Sequence, residues 1–209
     1  MTTSLEFFFD CSSPWTYMAF TRIQPIAKRF KQAINWKPIL VGGVFNSVNQ
    51  SLYAARESMF DNERRLTYYM KDLQDWAQLC DIRIGWPDFH PVNSVKAMRG
   101  CFVAEEAGLL IPYAQKVFEA YWGELRDISD DTVLEQLISE LGMDKKSFFE
   151  KIQSPEYKDR LRQNTDELIA RGGYGSPTLY LNGDDMYFGN DRLPLVEARL
   201  AALQDPGRS

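Results

Sequence analysis

The sequence predicts an α/β fold whose small sheet is interrupted by a large all-helical insertion. Three observations predict it. A strand, a helix and a second strand open the chain; helical periodicity dominates the middle; two short β-rich runs and a last helix close it.

Each element has a local reason. "LEFFF", residues 5 to 9, is short, aromatic and followed by the turn-formers Asp10, Ser12 and Ser13, which reads as a buried strand. From Pro14 the apolar residues Trp15, Met18, Ala19, Ile23, Ile26, Ala27 and Phe30 recur at intervals of three and four, as on a helix with one buried face. Pro25 falls inside that pattern and predicts a kink. "KRFK" suits a helix C-terminus, and "AINWKPIL" after it reads as a second strand. The middle is helical. Leu66, Tyr69, Met70, Leu73, Trp76 and Ala77 line one face, and "DDTVLEQLISELG" has an acidic start and a glycine stop. Between these lies the loop "IGWPDFHPVNS". "TLYL" and "MYF", joined by "NGDD", form a hairpin pattern, and a helix over about 192–203 follows Asn190 and Asp191, either of which could cap it. Residues 1–45 and 172–209 therefore predict a thioredoxin-like domain, and 46–171 the helices inserted into it.

Composition excludes several function classes. With 209 residues, 44% of them hydrophobic, the chain is long enough to bury a core without staples. The net charge of −5, with both signs interspersed, gives no footprint for nucleic acid or an anionic membrane. No basic leader with a cleavage site opens the chain, and no run of about 18 apolar residues occurs, which predicts a cytoplasmic protein without a membrane span. Cys11, Cys80 and Cys101 form no C-x-x-C, and His90 stands apart from them, so neither dithiol chemistry nor a metal site is expected.

"DCSSPWTY" carries the question of function. Serine at an N-cap with proline after it is the commonest way to begin a helix, and "QSPEY", with Ser154 and Pro155, does so with nothing chemical around it. Ser13 differs in place. It ends a strand-to-helix turn at the carboxyl edge of the sheet, where α/β folds bind ligands and where a helix dipole favours an anion. A hydroxyl there can donate to a thiolate brought by a ligand. Trp15, Tyr17 and Trp36 read as packing residues.

"FFFDCSSPWTY" together with "GSPTLYLNGDDMYFGNDRL" resembles the 2-hydroxychromene-2-carboxylate isomerase family and the related kappa-class glutathione transferases. "WKPILVGGVFN", "MKDLQDWAQLC" and "HPVNSVKAMR" extend the resemblance to nearly the whole chain. It implies a thioredoxin-like fold, a homodimer, and glutathione as cofactor with a small substrate derived from an aromatic ring. Ser13 then matches the serine that contacts the sulfur of glutathione. Ser176 offers backbone groups to its cysteinyl part before a cis Pro177, and Phe188, Gly189, Asn190 and Asp191 match the loop around its γ-glutamyl end. Asn49 matches an asparagine that reaches the ligand, with Gln50 a further polar candidate. Phe45 and Cys80 stand where the family holds its substrate with a lysine and a tyrosine; Arg99 could supply the missing positive charge. The implied chemistry is conjugate addition of thiolate, ring opening, cis-trans isomerisation and loss of glutathione. The alternatives are a kappa-like transferase or peroxidase and, in another class, a non-catalytic thioredoxin-like binding module.

Overall fold

The computed structural model describes residues 3–51 and 61–204; the part of the expected insertion at 52–60 lies outside them. Strand β1, Leu5–Phe9, leads into helix α1, Pro14–Arg29, and strand β2, Ile34–Pro38, runs parallel to β1 with Leu5 opposite Ile34 and Phe9 opposite Pro38. Among the described residues, helices α2 (Val41–Val48), α3 (Glu63–Leu79), α4 (Val95–Glu106), α5 (Leu110–Phe118), α6 (Asp131–Glu140), α7 (Lys145–Gln153) and α8 (Pro155–Ala170) follow before the chain returns to the sheet. A π-helical turn, Glu119–Gly123, extends α5. Strand β3, Thr178–Leu181, inserts antiparallel beside β1, and strand β4, Asp185–Phe188, pairs with β3 across a turn in which Asn182 and Gly183 both have positive φ. The order β2-β1-β3-β4 makes a mixed, thioredoxin-like sheet.

Helix α1 continues through Pro25 to Arg29. One local expectation changes. The last helix, α9 (Leu193–Gln204), is not capped by Asn190 or Asp191; residues Asn190–Arg192 form a 3-10 turn before it, because the Asn190 side chain is drawn inward to Arg22.

From Phe7 to Phe9 strand β1 is covered on both faces, so these residues read as a continuous apolar run rather than an alternating one. Phe7 and Phe9 pack with Trp36 on the α1 side, while Phe8 faces Tyr180, Leu168 and Val44 on the other. Each is fully buried, a contribution of about 1.5–3 kcal/mol per ring. Tyr17 stacks on Phe118 at 4.9 Å in the same core. The strand is thereby anchored along its length, and the next residue, Asp10, emerges at a fixed point.

Candidate active site

Ser13 caps α1. Its backbone is extended, its Oγ accepts the Thr16 N–H at 3.2 Å, and Pro14 fills the first helical position. Its hydroxyl proton is directed to the carbonyl oxygen of Ser176 at 3.3 Å. Ser154 behaves differently despite the same Ser-Pro start: its Oγ caps nothing and is buried without a partner among the described residues. The two look-alike sequences are thus separated by their surroundings.

The turn before Ser13 is organised by Asp10. Its carboxylate is fully buried; Oδ1 accepts the Ser12 N–H at 2.9 Å, and Oδ2 accepts the Val41 N–H at 2.9 Å and the Ser94 hydroxyl at 3.0 Å. Its carbonyl accepts the Ser13 N–H at 3.2 Å. One side chain therefore ties the starts of α1, α2 and α4 to the end of β1. Burial pushes its carboxyl above the ordinary value of 3.8, with the Ser12, Val41 and Ser94 donors pulling the other way. Cys11, next in the chain, is held with its carbonyl on the Trp122 indole N–H at 2.9 Å. Burial, then the neighbouring Cys101, pushes its thiol well up, so it stays protonated.

The opposite wall is the loop before β3. Ser176–Pro177 is a cis peptide bond, and the Ser176 Oγ accepts the Asp10 N–H at 3.0 Å and pairs with Thr16 Oγ1 at 2.8 Å. Gly175 is glycine for a reason of space: a Cβ there would stand 2.7 Å from Phe188 and 3.6 Å from Phe45. Phe188 in turn packs on Tyr174, 4.4 Å between centroids. The Gly189 N–H then donates to the Pro177 carbonyl at 3.0 Å, joining this loop to the turn that follows β4. In that turn Gly189 has φ of 107°, open only to glycine at little cost. Asn190 is buried, with Arg22 Nη1 donating to its carbonyl at 3.0 Å and to its Oδ1 at 2.8 Å. Asp191 is exposed and meets Arg192 at 3.2 Å.

A row of rings begins at Trp15, two residues after Ser13. Trp15 meets Tyr69 at 5.9 Å, Tyr69 meets Trp86 at 6.1 Å, and Trp86 meets His90 at 4.9 Å. His90 Nδ1 lies 2.6 Å from the Tyr121 hydroxyl, on the π turn that also carries Trp122. A π turn is an uncommon device found mostly at functional sites.

Comparison with known proteins decides the family. The DSBA-like thioredoxin domain matches residues 4–201. The chain is 32% identical over 201 residues to the 2-hydroxychromene-2-carboxylate isomerase of Pseudomonas putida, covering 95% of each protein. The chain belongs to the 2-hydroxychromene-2-carboxylate isomerase family. A solved structure of such an isomerase superposes with a TM-score of 0.81 at 28% identity, covering 98% of this chain and 99% of that one. Glutathione S-transferase kappa 1 of Caenorhabditis elegans is a more distant relative, 24% identical over 92% of this chain and 88% of its own.

Within this isomerase family, the residues expected at the site fall into two groups. Ser13, Ser176, Pro177, Phe188 and Gly189 converge, and Phe45 joins them through Gly175. Asn49 supports the loop, its Nδ2 donating to the Tyr174 carbonyl at 3.1 Å. Gln50 folds back on its own helix, onto the Asn46 carbonyl at 2.9 Å. Asn190 offers its backbone only, since its side chain is buried against Arg22. Cys80 stands apart from Ser13. Helices α1 and α3 run side by side with Trp15 against Tyr69 and Arg22 against Trp76, so Cys80 at the end of α3 lies toward the Arg22 level. That is nine residues, about 13 Å, down α1 from Ser13. Arg99 is likewise turned away, donating to the Ile152 carbonyl at the end of α7.

The bonds by which Asp10, Ser94, Arg22 and Trp122 support these loops were not evident from the sequence. The signal for Asp10 was present: a carboxylate directly after three buried phenylalanines can be buried only if donors surround it.

Proposed function

We propose that the protein is a glutathione-dependent isomerase of the 2-hydroxychromene-2-carboxylate type, acting in the breakdown of aromatic compounds. The observation that carries this reading is the Ser13 hydroxyl resting on the Ser176 carbonyl at 3.3 Å, at the N-terminus of a helix of 16 residues. The contact is long for an O–H···O bond, whose ordinary range ends at about 3.0 Å. Both groups are thus ready to change partner. The carbonyl suits the amide N–H of an extended peptide, and the hydroxyl proton suits an anionic sulfur.

These residues fit glutathione. Ser13 would hold the sulfur, Ser176 the cysteinyl backbone, Asp191 the ammonium group, and the N–H groups of Asn190 and Asp191 the γ-glutamyl carboxylate. Bound there, glutathione supplies a thiolate that adds reversibly to an electrophilic carbon and leaves after bond rotation, with no net redox. The protein keeps that sulfur ionised. The Ser13 proton and about half a unit of positive charge from the α1 dipole both favour thiolate over thiol. Cys11, protonated in the core, does not compete. The rings from Trp15 to His90, meeting edge to face, offer aromatic side chains against which an aromatic-derived substrate can pack.

Phe45 favours a second reading. An apolar ring where the resemblance gives a lysine provides no charge for a substrate carboxylate, which suits a kappa-like transferase or peroxidase. Calorimetry with millimolar glutathione tests both readings, and absence of binding leaves only a non-catalytic thioredoxin-like module. Turnover of 2-hydroxychromene-2-carboxylate supports the isomerase; turnover of chlorodinitrobenzene or a peroxide, with none of the chromene, supports the alternative. The same reading carries a homodimer and a cytoplasmic location, which sedimentation and cell fractionation test.

A further inference from the structure

Arg22 lies outside every role assigned so far. It stands on α1, its guanidinium 4.8 Å above the Trp76 ring, and a single nitrogen, Nη1, donates to both the carbonyl and the Oδ1 of Asn190. Asn190 is 2% exposed, so this pairing lies beneath the turn, on its protein side. On the other side of Asn190, Asp191 is exposed, its Oδ1 only 2.7 Å from where a Cβ on Gly189 would stand. The turn is held at two points: Gly189 N–H on the Pro177 carbonyl, and Asn190 on Arg22.

The second point matters because of which helix supplies it. Helix α1 begins at the Ser13 cap and carries Arg22 nine residues on. One rigid element therefore sets the spacing between the hydroxyl that faces the sulfur and the turn that presents Asp191. A ligand that spans both must match that spacing. Lysine would not reproduce the arrangement, since an ammonium lacks the flat guanidinium face that lies over Trp76 and its N–H groups rotate instead of being fixed in a plane.

We propose that Arg22 is the positioning residue for γ-glutamyl recognition: acting through Asn190, it fixes the Gly189–Asp191 turn so that the site prefers a γ-glutamyl thiol peptide to a shorter thiol. The proposal rests on the glutathione reading above. Arg22 itself touches no ligand; its effect is on discrimination and not on the chemistry at sulfur.

The test compares two thiols on native protein, Arg22→Lys and Asn190→Ala, using calorimetry for affinity and thiolate absorbance for the pKa of the bound sulfur. The thiols are glutathione and N-acetyl-cysteinylglycine, which keeps the cysteinyl amide and lacks the γ-glutamyl group. Native protein should prefer glutathione. Arg22→Lys should weaken glutathione by about tenfold or more, the scale of a lost charged hydrogen bond, with the acetylated dipeptide and the bound thiolate pKa unchanged. Asn190→Ala, which retains the backbone acceptor, should lose discrimination in the same direction and by less. Equal weakening of both thiols, or no change for glutathione, overturns the proposal while leaving the glutathione reading intact. Failure of native protein to bind glutathione at all overturns both.

Discussion

The hydroxyl of Ser13 and the carbonyl of Ser176 face each other at 3.3 Å across 163 residues of sequence. The same two residues are joined a second way, through Asp10, whose N–H donates to Ser176 Oγ and whose carbonyl accepts the Ser13 N–H. The helix start and the loop before β3 are thus one structure, and each prediction below perturbs it or its surroundings.

Ser13→Ala removes both the cap and the proposed sulfur contact. Loss of the cap should cost about 1 kcal/mol, read by chemical denaturation. The pKa of bound glutathione should rise, read by thiolate absorbance near neutral pH. A stability loss with no change in that pKa would mean that Ser13 is a cap alone.

Asp10 predicts a pH dependence. Its folded carboxyl binds a proton more tightly than the unfolded one, because burial disfavours the charge. Its contribution to stability is therefore full below the ordinary value of 3.8 and is lost as pH rises through the folded-state value. Thermal melts of native protein and Asp10→Asn should show the difference moving in favour of the variant as pH increases from acid toward neutral. A difference that stays flat would contradict the assigned direction.

Trp122→Phe keeps most of the packing and deletes one donor. The Cys11 carbonyl, buried two residues before Ser13, would lose its partner at 2.9 Å. The expected cost is about 1–3 kcal/mol, and urea unfolding measures it. A change within experimental error would show that water or another donor replaces the indole.

Gly175→Ala should disturb the site without touching its polar groups. The added methyl meets the Phe188 ring at 2.7 Å, and overpacking of this kind costs about 1–3 kcal/mol. Glutathione affinity should fall with stability, because displacement of Phe188 moves the adjoining Gly189 turn. Unchanged affinity in a destabilised variant would uncouple the ring from the ligand.

The sequence made the fold legible because its clues were local. "LEFFF", the spacing after Pro14 and "NGDD" each declare one element, and their order declares the sheet. The ends of the site were legible for the same reason: Ser13 and the Ser-Pro before β3 sit at strand termini, where turn chemistry shows. What hid the rest was separation. Asp10 looks like an ordinary turn residue until Val41 and Ser94 arrive from elsewhere to bond it. Arg22 looks like one more polar residue on a helix until Asn190 closes over it. The separation of Cys80 from Ser13 was hidden for a related reason, since position along α3 matters only once α3 is laid beside α1. Ser13 and Ser154 make the point within one chain, being alike in sequence and opposite in bonding.

The sheet order has a consequence for synthesis. Strand β1 has β2 as a neighbour close in sequence, but its second neighbour is β3, which follows helices α1 to α8. A ribosome that has made residues 1 to 170 has delivered Ser13 and Asp10 without the loop they need. The surface proposed to hold the ligand is therefore completed late in synthesis, and a product truncated before Ser176 carries Ser13 without the loop that faces it.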